Sequence, residues 1–439
     1  LKVRNLKVWV EMATDDAIGL TTSAEFFMRH SAEGVPAGGV CPMHKTSAKV
    51  TTSSDVKTET ESILDMMAAC RFHADVPREQ YKFTQLHGGL TNKLYKLSCP
   101  GVGDFPVLVR LYGEGSDLMI DRERENDLLK VFARAKLAAP LHLEFGNGIV
   151  YGFTPGVPMD SNMCLNPELS RMVAEAMALW HRTKLTPVKK PRTPLRERME
   201  KKLSTTSKTP KSETSLLNIH QHAFLGHSES LWSNVFEWFD IARKLPDMYS
   251  SPDDPFYFSI DWSELQKELK ELQKEAESFP YTSQIVMCHN DLLPGNIIYN
   301  KELGTMSFID YEYASYNPRG FDIANHLAEV GFDYDTVTVK PNVPSKEQRI
   351  SFLRHYFAAI NNSADSPASL KLDWEDEIVG EVDREVFAWE CVANIRWCLW
   401  SIIQDTHSSI DFNYKKFAQV RWERFHSMLR EIKTPSSKK

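Results

Sequence analysis

The stretch from Ile285 to Asn300 constrains the fold more than any other part of the chain. It reads Ile285-Val286-Met287-Cys288-His289-Asn290-Asp291-Leu292-Leu293-Pro294-Gly295-Asn296-Ile297-Ile298-Tyr299-Asn300. An apolar, β-prone run enters a polar loop and a second such run leaves it, which predicts two buried strands with a functional loop between them. Nineteen residues after Asp291 a third apolar run, Met306 to Ile309, ends in Asp310. Phosphoryl transfer needs three oxygen-bearing side chains for separable reasons. One carboxylate orients an acceptor hydroxyl and takes its proton, work that suits Asp291. Two hard oxygen ligands hold Mg²⁺ against nucleotide phosphates, and Asn296 and Asp310 can supply them. A protein-kinase catalytic loop follows the same logic, with an Asp, an Asn five positions later and a metal-binding Asp at a strand end.

The upstream half supplies partners for such a loop. Tyr81 to Leu86, Lys93 to Ser98 and Val107 to Tyr112 read as strands. The first two flank Gly88-Gly89-Leu90-Thr91-Asn92, either a plain hairpin turn or a place where backbone approaches phosphate oxygens, with Thr91 and Asn92 as further donors. Arg110 stands inside the third, otherwise apolar run, and a buried guanidinium requires a partner. Nucleotide phosphates and a carboxylate on the following helix, Glu125 or Glu123, would provide one. That helix is expected from Ile120 to about Leu137, with Leu128, Leu129, Phe132 and Leu137 inward. Leu141 to Phe145 and Ile149 to Phe153 then surround the hairpin signal Gly146-Asn147-Gly148. Three strands, a helix and a hairpin before Thr154-Pro155-Gly156 look like a small nucleotide-holding lobe followed by a hinge.

Beyond the hinge the periodicity is mostly helical. Helices are expected over Pro167 to Thr183, over residues 261–279 with a Ser263…Gln266 capping box, over Ser345 to Ile360 and over about Trp374 to Gln404. With 439 residues, 42% of them hydrophobic, the chain can bury a sizeable core in two lobes or two domains. Residues 1–60 read as a poorly ordered tail, 61–153 as the nucleotide-binding lobe and 154–435 as the catalytic lobe. A flexible insertion is expected at about 184–215, where Lys184 to Lys211 holds ten Lys/Arg against two Glu. Over the whole chain, 52 Lys+Arg against 59 Asp+Glu gives −7, which argues against a nucleic-acid partner. No apolar run is expected to span a membrane. The seven cysteines are scattered without a CxxC pair, so reduced thiols in the cytosol are expected rather than a zinc or disulfide framework.

On these residues the sequence resembles the choline/ethanolamine kinases, from about Tyr81 to Leu429. The resemblance rests on Gly88-Gly89-Leu90-Thr91-Asn92, Val109-Arg110-Leu111-Tyr112-Gly113, Ile120-Asp121-Arg122, Cys288-His289-Asn290-Asp291 and Ile309-Asp310-Tyr311-Glu312-Tyr313, continuing through Asn317, Arg319, Asp322, Asn325 and His326. The family carries Arg where protein kinases use Lys, in agreement with Arg110. His289-Asn290-Asp291-Leu292-Leu293 looks like the ethanolamine branch, because choline kinases usually carry Gln where Leu293 stands.

The resemblance implies an α+β, protein-kinase-like two-lobed fold, with a small antiparallel β-sheet lobe bearing one helix and a larger, mostly helical lobe. It implies ATP as co-substrate, Mg²⁺ on Asn296 and Asp310, and catalysis by Asp291 and Arg110. Nucleotide contacts would come from Gly88, Gly89, Thr91, Asn92, Arg110 and Glu125. Asp291, Tyr313, Glu329, Tyr334, Trp397 and Trp400 would form an amino-alcohol pocket in which ring faces attract an ammonium and Glu329 supplies opposite charge. Phe417 aligns with an aromatic that is commonly Tyr in choline kinases. Asp322, Asn325, His326 and His181 are expected to brace the loops. The implied reaction is phosphorylation of ethanolamine to phosphoethanolamine, the first step of the CDP-ethanolamine route to phosphatidylethanolamine, in a cytoplasmic enzyme whose relatives often form homodimers. A choline or dual-specificity kinase and an inactive kinase-like scaffold are the alternatives.

Overall fold

A computed structural model describes residues 44–53, 55–70, 72–73, 76–86, 92–101, 106–113, 121–185, 230–245, 255–341, 343–372, 376–408 and 411–434. The first lobe is built on six strands: His44–Lys45 (β1), Lys82–Leu86 (β2), Asn92–Ser98 (β3), Val107–Tyr112 (β4), Leu141–Phe145 (β5) and Gly148–Gly152 (β6). Their order is β1-β5-β6-β4-β3-β2. The apolar run of β4 puts it in the sheet interior, buried from Val107 to Leu111 and paired on both sides. Gly148 allows β6 to approach it, since a Cβ there would lie 2.2 Å from the Arg110 carbonyl oxygen.

The expected antiparallel sheet is present, with one parallel edge where β1 runs beside β5 and His44 stands opposite Leu143. Two expectations for this lobe are corrected. The lobe holds two helices, Val56–Ala69 (α1) and Arg122–Arg134 (α2), rather than one. The poorly ordered tail does not extend to residue 60; residues 1–43 lie outside the described residues. The physical reason is a short apolar stripe behind a polar entry. Asp55 caps α1 by accepting from the Lys57 and Thr58 amides, and Ile63, Met66 and Met67 then face the sheet beside Val109, Leu143 and Val150. Glu59 on the same helix is fully buried, accepting from the Tyr95 hydroxyl and, at 3.0 Å, from Lys93 Nζ. The hairpin residue Asn147 exchanges two 2.9 Å hydrogen bonds with the backbone of Val50.

The second lobe is mostly helical. Its helices are Ser161–Leu165 (α3), Pro167–Arg182 (α4), Leu231–Ala242 (α5), Pro255–Ser259 (α6), Trp262–Ala276 (α7), Arg319–Val330 (α8), Lys346–Asn361 (α9), Asp376–His407 (α10) and Tyr414–Lys433 (α11). Between them run Val157–Pro158 (β7), Ile285–Cys288 (β8), Ile297–Asn300 (β9), Thr305–Phe308 (β10) and Ser315–Pro318 (β11). They form two ribbons, β10-β9-β7 and β11-β8, under the sheet lobe. The start of α7 also differs from expectation: Asp261 caps it, accepting from the Ser263 and Glu264 amides, because the helix begins at Trp262 and Ser263 already lies inside its first turn. Ser345 and Gln348 do form a capping box on α9. Of the basic insertion, only Lys184 and Leu185 fall within the described residues.

The 32-residue α10 is the spine of the lobe, packed against α8, α11 and α5. Its segment Ile378–Thr406 is, among the described residues, long and apolar enough by length and composition to cross a membrane, but 89% of its apolar window is buried inside the protein, as in a core helix. Six described cysteines, Cys70, Cys99, Cys164, Cys288, Cys391 and Cys398, are free thiols.

Glu385 on α10 gives the lobe a pH dependence. Burial pushes its carboxyl up to about 7, opposed by hydrogen bonds accepted from Thr282 Oγ1 at 2.8 Å and the Tyr281 amide at 3.2 Å. A raised carboxyl pKa means the folded state holds its proton to higher pH than the unfolded chain, so stability falls as pH rises from about 4.5 to about 7. Glu385→Gln keeps an acceptor without the charge. Thermal melts should therefore show the variant gaining on the parent between pH 5 and pH 8; a difference that does not change with pH would refute the assignment.

Candidate active site

The loop between β8 and β9 is held from several sides. Asp322, in the first turn of α8, accepts from the His289 amide at 2.8 Å and the Asn290 amide at 2.7 Å, and from His181 Nε2 at 2.9 Å. Burial alone would raise the Asp322 carboxyl, but His181 and the amide donors hold it below the usual carboxylate range. Asn290 takes a left-handed φ of +63°, which Asn tolerates better than most residues. Its amide donates to the Tyr313 carbonyl and Ser315 Oγ, both at 2.9 Å. His326 Nδ1 donates to the Leu292 carbonyl at 2.9 Å, and burial lowers that imidazole to about 4, leaving it neutral. Asp291 thus sits in a loop whose neighbours on both sides are pinned.

The same network gathers residues that are distant in sequence. Asn296 Nδ2 donates to the Asp291 carbonyl at 2.8 Å and lies 3.4 Å from its Oδ2. The Ile309 amide donates to the Asn296 carbonyl at 3.0 Å, which brings Asp310, in a left-handed φ of +68°, alongside. Asp310 in turn meets the sheet lobe, with Arg110 Nη1 3.5 Å from its Oδ1.

Arg110 projects from the buried strand β4 and donates through Nη2 to Glu125 Oε1 at 2.5 Å, so Glu125 rather than Glu123 is its partner on α2. Burial is the largest single influence and works against the guanidinium charge, but Glu125, Tyr151 and Asp310 together outweigh it and keep Arg110 firmly protonated. Burial also opposes the Glu125 charge, and Arg110 and Arg122 more than offset it. Arg122 reaches Glu125 at 2.8 Å, Asn92 Oδ1 at 3.1 Å and Glu312 at 3.6 Å. Glu312 has little beyond that contact: burial, reinforced by the charge of Asp310, pushes its carboxyl well up. Carboxylate oxygens of Glu125, Asp310 and Glu312 lie within 4.8 Å of one another. The sequence reading missed Arg122 and Glu312 as site residues although both stand in motifs it used. The proposed phosphate loop, Gly88, Gly89 and Thr91, lies outside the described residues.

On the other side of Asp291 aromatic rings converge. Trp400 Nε1 donates to the Tyr313 hydroxyl at 2.9 Å, and Trp397 meets Tyr313 edge-on at 5.5 Å. Trp397 and Trp400 are 5.6 Å apart at 86°, and Trp397 is fixed by its Nε1 donating to Asn325 Oδ1 at 2.8 Å. Tyr334 stacks on Phe417 at 6.0 Å and donates its hydroxyl to Glu329. Burial comes first among the causes that push the Tyr313 and Tyr334 hydroxyls up, followed by the charge of Glu312 for Tyr313 and of Glu329 for Tyr334, with Asp291 a lesser contributor to both. One expectation is corrected. Glu329 does not stand as a free counter-charge for an ammonium, because it is fully buried and ion-paired with Arg421 at 2.7 Å, and touches the aromatic group through the Tyr334 hydroxyl. Arg421, Arg396 and Trp238, the last edge-on to Tyr313 at 6.4 Å, escaped the sequence reading. Arg396 and Arg421 stand near Trp397 and Phe417 in sequence, whereas Trp238 lies far from any motif residue and gave no signal.

A β-sheet lobe over a helical lobe, with the sheet's Arg–Glu pair and the Asp310 carboxylate facing an Asp–Asn loop, defines a phosphotransferase of the protein-kinase-like fold that uses ATP. The chain belongs to the choline/ethanolamine kinase family, whose model matches residues 83–426. It is 29% identical over 354 residues to probable ethanolamine kinase A of Dictyostelium discoideum, covering 79% of this chain and 85% of that one. It is 28% identical over 356 residues to ethanolamine kinase 2 of Mus musculus, covering 81% and 78%. Among solved structures it superposes on an ethanolamine kinase of Plasmodium vivax with a TM-score of 0.65, at 26% identity and covering 86% and 92% of the two chains. A choline kinase of Cryptosporidium parvum shares the fold, with a TM-score of 0.61 at 20% identity and covering 85% and 96%.

Proposed function

We propose that this enzyme phosphorylates ethanolamine with ATP, giving phosphoethanolamine for the CDP-ethanolamine route. The supporting observation is the convergence of Asp291, Asn296 and Asp310 between an Arg110–Glu125 pair and a pocket of aromatic rings. Curated relatives named ethanolamine kinase support the substrate. Asp291 accepts the proton of the ethanolamine hydroxyl as that oxygen attacks the γ-phosphorus. Arg110, held straight by Glu125, donates toward the phosphates without needing to reorganise. Tyr313, Tyr334, Trp397 and Trp400 enclose the aminoethyl end and exclude water from it.

The donor set fits Mg²⁺. Asp310, Glu312 and Glu125 offer hard carboxylate oxygens within 4.8 Å of one another, and one buried Glu312 oxygen has no hydrogen-bond donor. Asn296 spends its amide N–H on Asp291 and keeps its carbonyl oxygen for coordination. Asn296 and Asp310 would hold the ion with Glu312 beside them; when bound, it neutralises the phosphates during transfer.

Turnover with radiolabelled ATP against a panel of amino alcohols tests the reading. Ethanolamine should give the highest kcat/KM. A higher value for choline would replace the substrate assignment, and no transfer to any alcohol would overturn the activity.

A further inference from the structure

Arg396 is a buried cation inside the aromatic group that the substrate ammonium is proposed to meet. Its residue is 3% exposed, and its Cζ lies 4.6 Å from the Trp397 ring centroid, 4.7 Å from Trp238, 5.3 Å from Tyr313 and 5.6 Å from Phe321. It is anchored at both ends, with Nε donating to Asn234 Oδ1 on α5 at 3.2 Å and Nη1 3.4 Å from the carbonyl oxygen of Asn290 in the catalytic loop. Two of the rings assigned to the amino-alcohol pocket, Tyr313 and Trp397, therefore already spend part of their π-electron attraction on a resident guanidinium.

We infer that Arg396 is a specificity-determining residue that turns the pocket from quaternary toward primary ammonium substrates; this rests on the amino-alcohol kinase reading above. The physical argument is a difference between two kinds of cation. A quaternary ammonium has no N–H and depends on ring faces for attraction, whereas a primary ammonium donates hydrogen bonds and depends on rings much less. A permanent charge 4.6–5.3 Å from Trp397 and Tyr313 polarises those rings and competes for them. Its repulsion acts on both substrates, but only the quaternary one loses its principal attraction. The guanidinium also fills volume behind the rings, so they cannot withdraw to admit three methyl groups. Arg396 touches no reacting atom; it works through Tyr313, Trp397 and the loop carbonyl.

The test compares kcat/KM for ethanolamine and choline in the parent, in Arg396→Met and in Arg396→Lys. Met keeps length and apolar packing without charge, and Lys keeps the charge. Arg396→Met should move the choline-to-ethanolamine ratio toward choline by about tenfold, the order of one cation–π contact at a dry site, while Arg396→Lys should stay near the parent. A purely structural role would lower both substrates together and leave the ratio fixed, and that result overturns the inference. Should Arg396→Met fail to fold, inhibition of the parent enzyme decides: methylammonium should compete with ethanolamine at least about tenfold better than tetramethylammonium, and equal potency overturns the inference. A parent that phosphorylates neither alcohol refutes the activity beneath it, an outcome distinct from an active parent whose ratio ignores Arg396.

Discussion

Asp291→Ala should lower kcat by about 10²–10⁴-fold while KM for ethanolamine and for ATP changes little, the signature of an interaction made in the transition state rather than in binding. Asp291 is 9% exposed and lies in a loop whose other members are tied down independently of its carboxylate: His289 and Asn290 by Asp322, Asn290 again by Ser315, and Leu292 by His326. Removing the carboxylate therefore leaves the loop in place, and melting temperature should stay near the parent's. Steady-state kinetics with both substrates varied gives the answer. Near-normal turnover would remove Asp291 from the mechanism, and a large rise in KM alone would recast it as a binding group.

The largest effect on folding is expected at Asp322. Asp322→Ala strips the acceptor from two backbone amides and from the His181 ring at a position 1% exposed. Buried donors left without a partner cost roughly 1–3 kcal/mol each, so a loss of about 3–5 kcal/mol is expected after partial relaxation. Urea denaturation followed by tryptophan fluorescence measures it, with the midpoint falling at an unchanged slope. A loss below about 1 kcal/mol would mean that the loop does not depend on this residue. Asp291→Ala and Asp322→Ala thus separate chemistry from scaffolding inside one loop.

Much of the site was legible because its chemistry needs few residue types at tight spacing. An Asp and an Asn five apart in one loop have one useful arrangement, and apolar runs on both sides say how the loop is held. Arg110 was legible for the complementary reason, since a cation in an apolar strand must find a carboxylate. The contacts made across the fold were not legible. Glu329 reads as a counter-charge until Arg421, 92 residues away, is seen to take it. Arg396 reads as one more polar residue of a long helix until four rings from three elements and a loop surround it. Helix α1 hid behind Ser- and Thr-rich neighbours, because its four buried apolar residues, Ile63, Leu64, Met66 and Met67, span too short a stretch to announce a period.

The family match opens at residue 83, yet the upper wall of the cleft is finished by chain that comes before it. Shortening the polypeptide to that boundary would peel away a buckle: Asn147 would lose its grip on Val50, Tyr95 its carboxylate, and Leu143 and Val150 their roof. What remained would offer β5 as a bare sheet margin beside uncovered aliphatic surface, an invitation to self-association. The upstream forty residues therefore belong to the enzyme's solubility as much as to its shape.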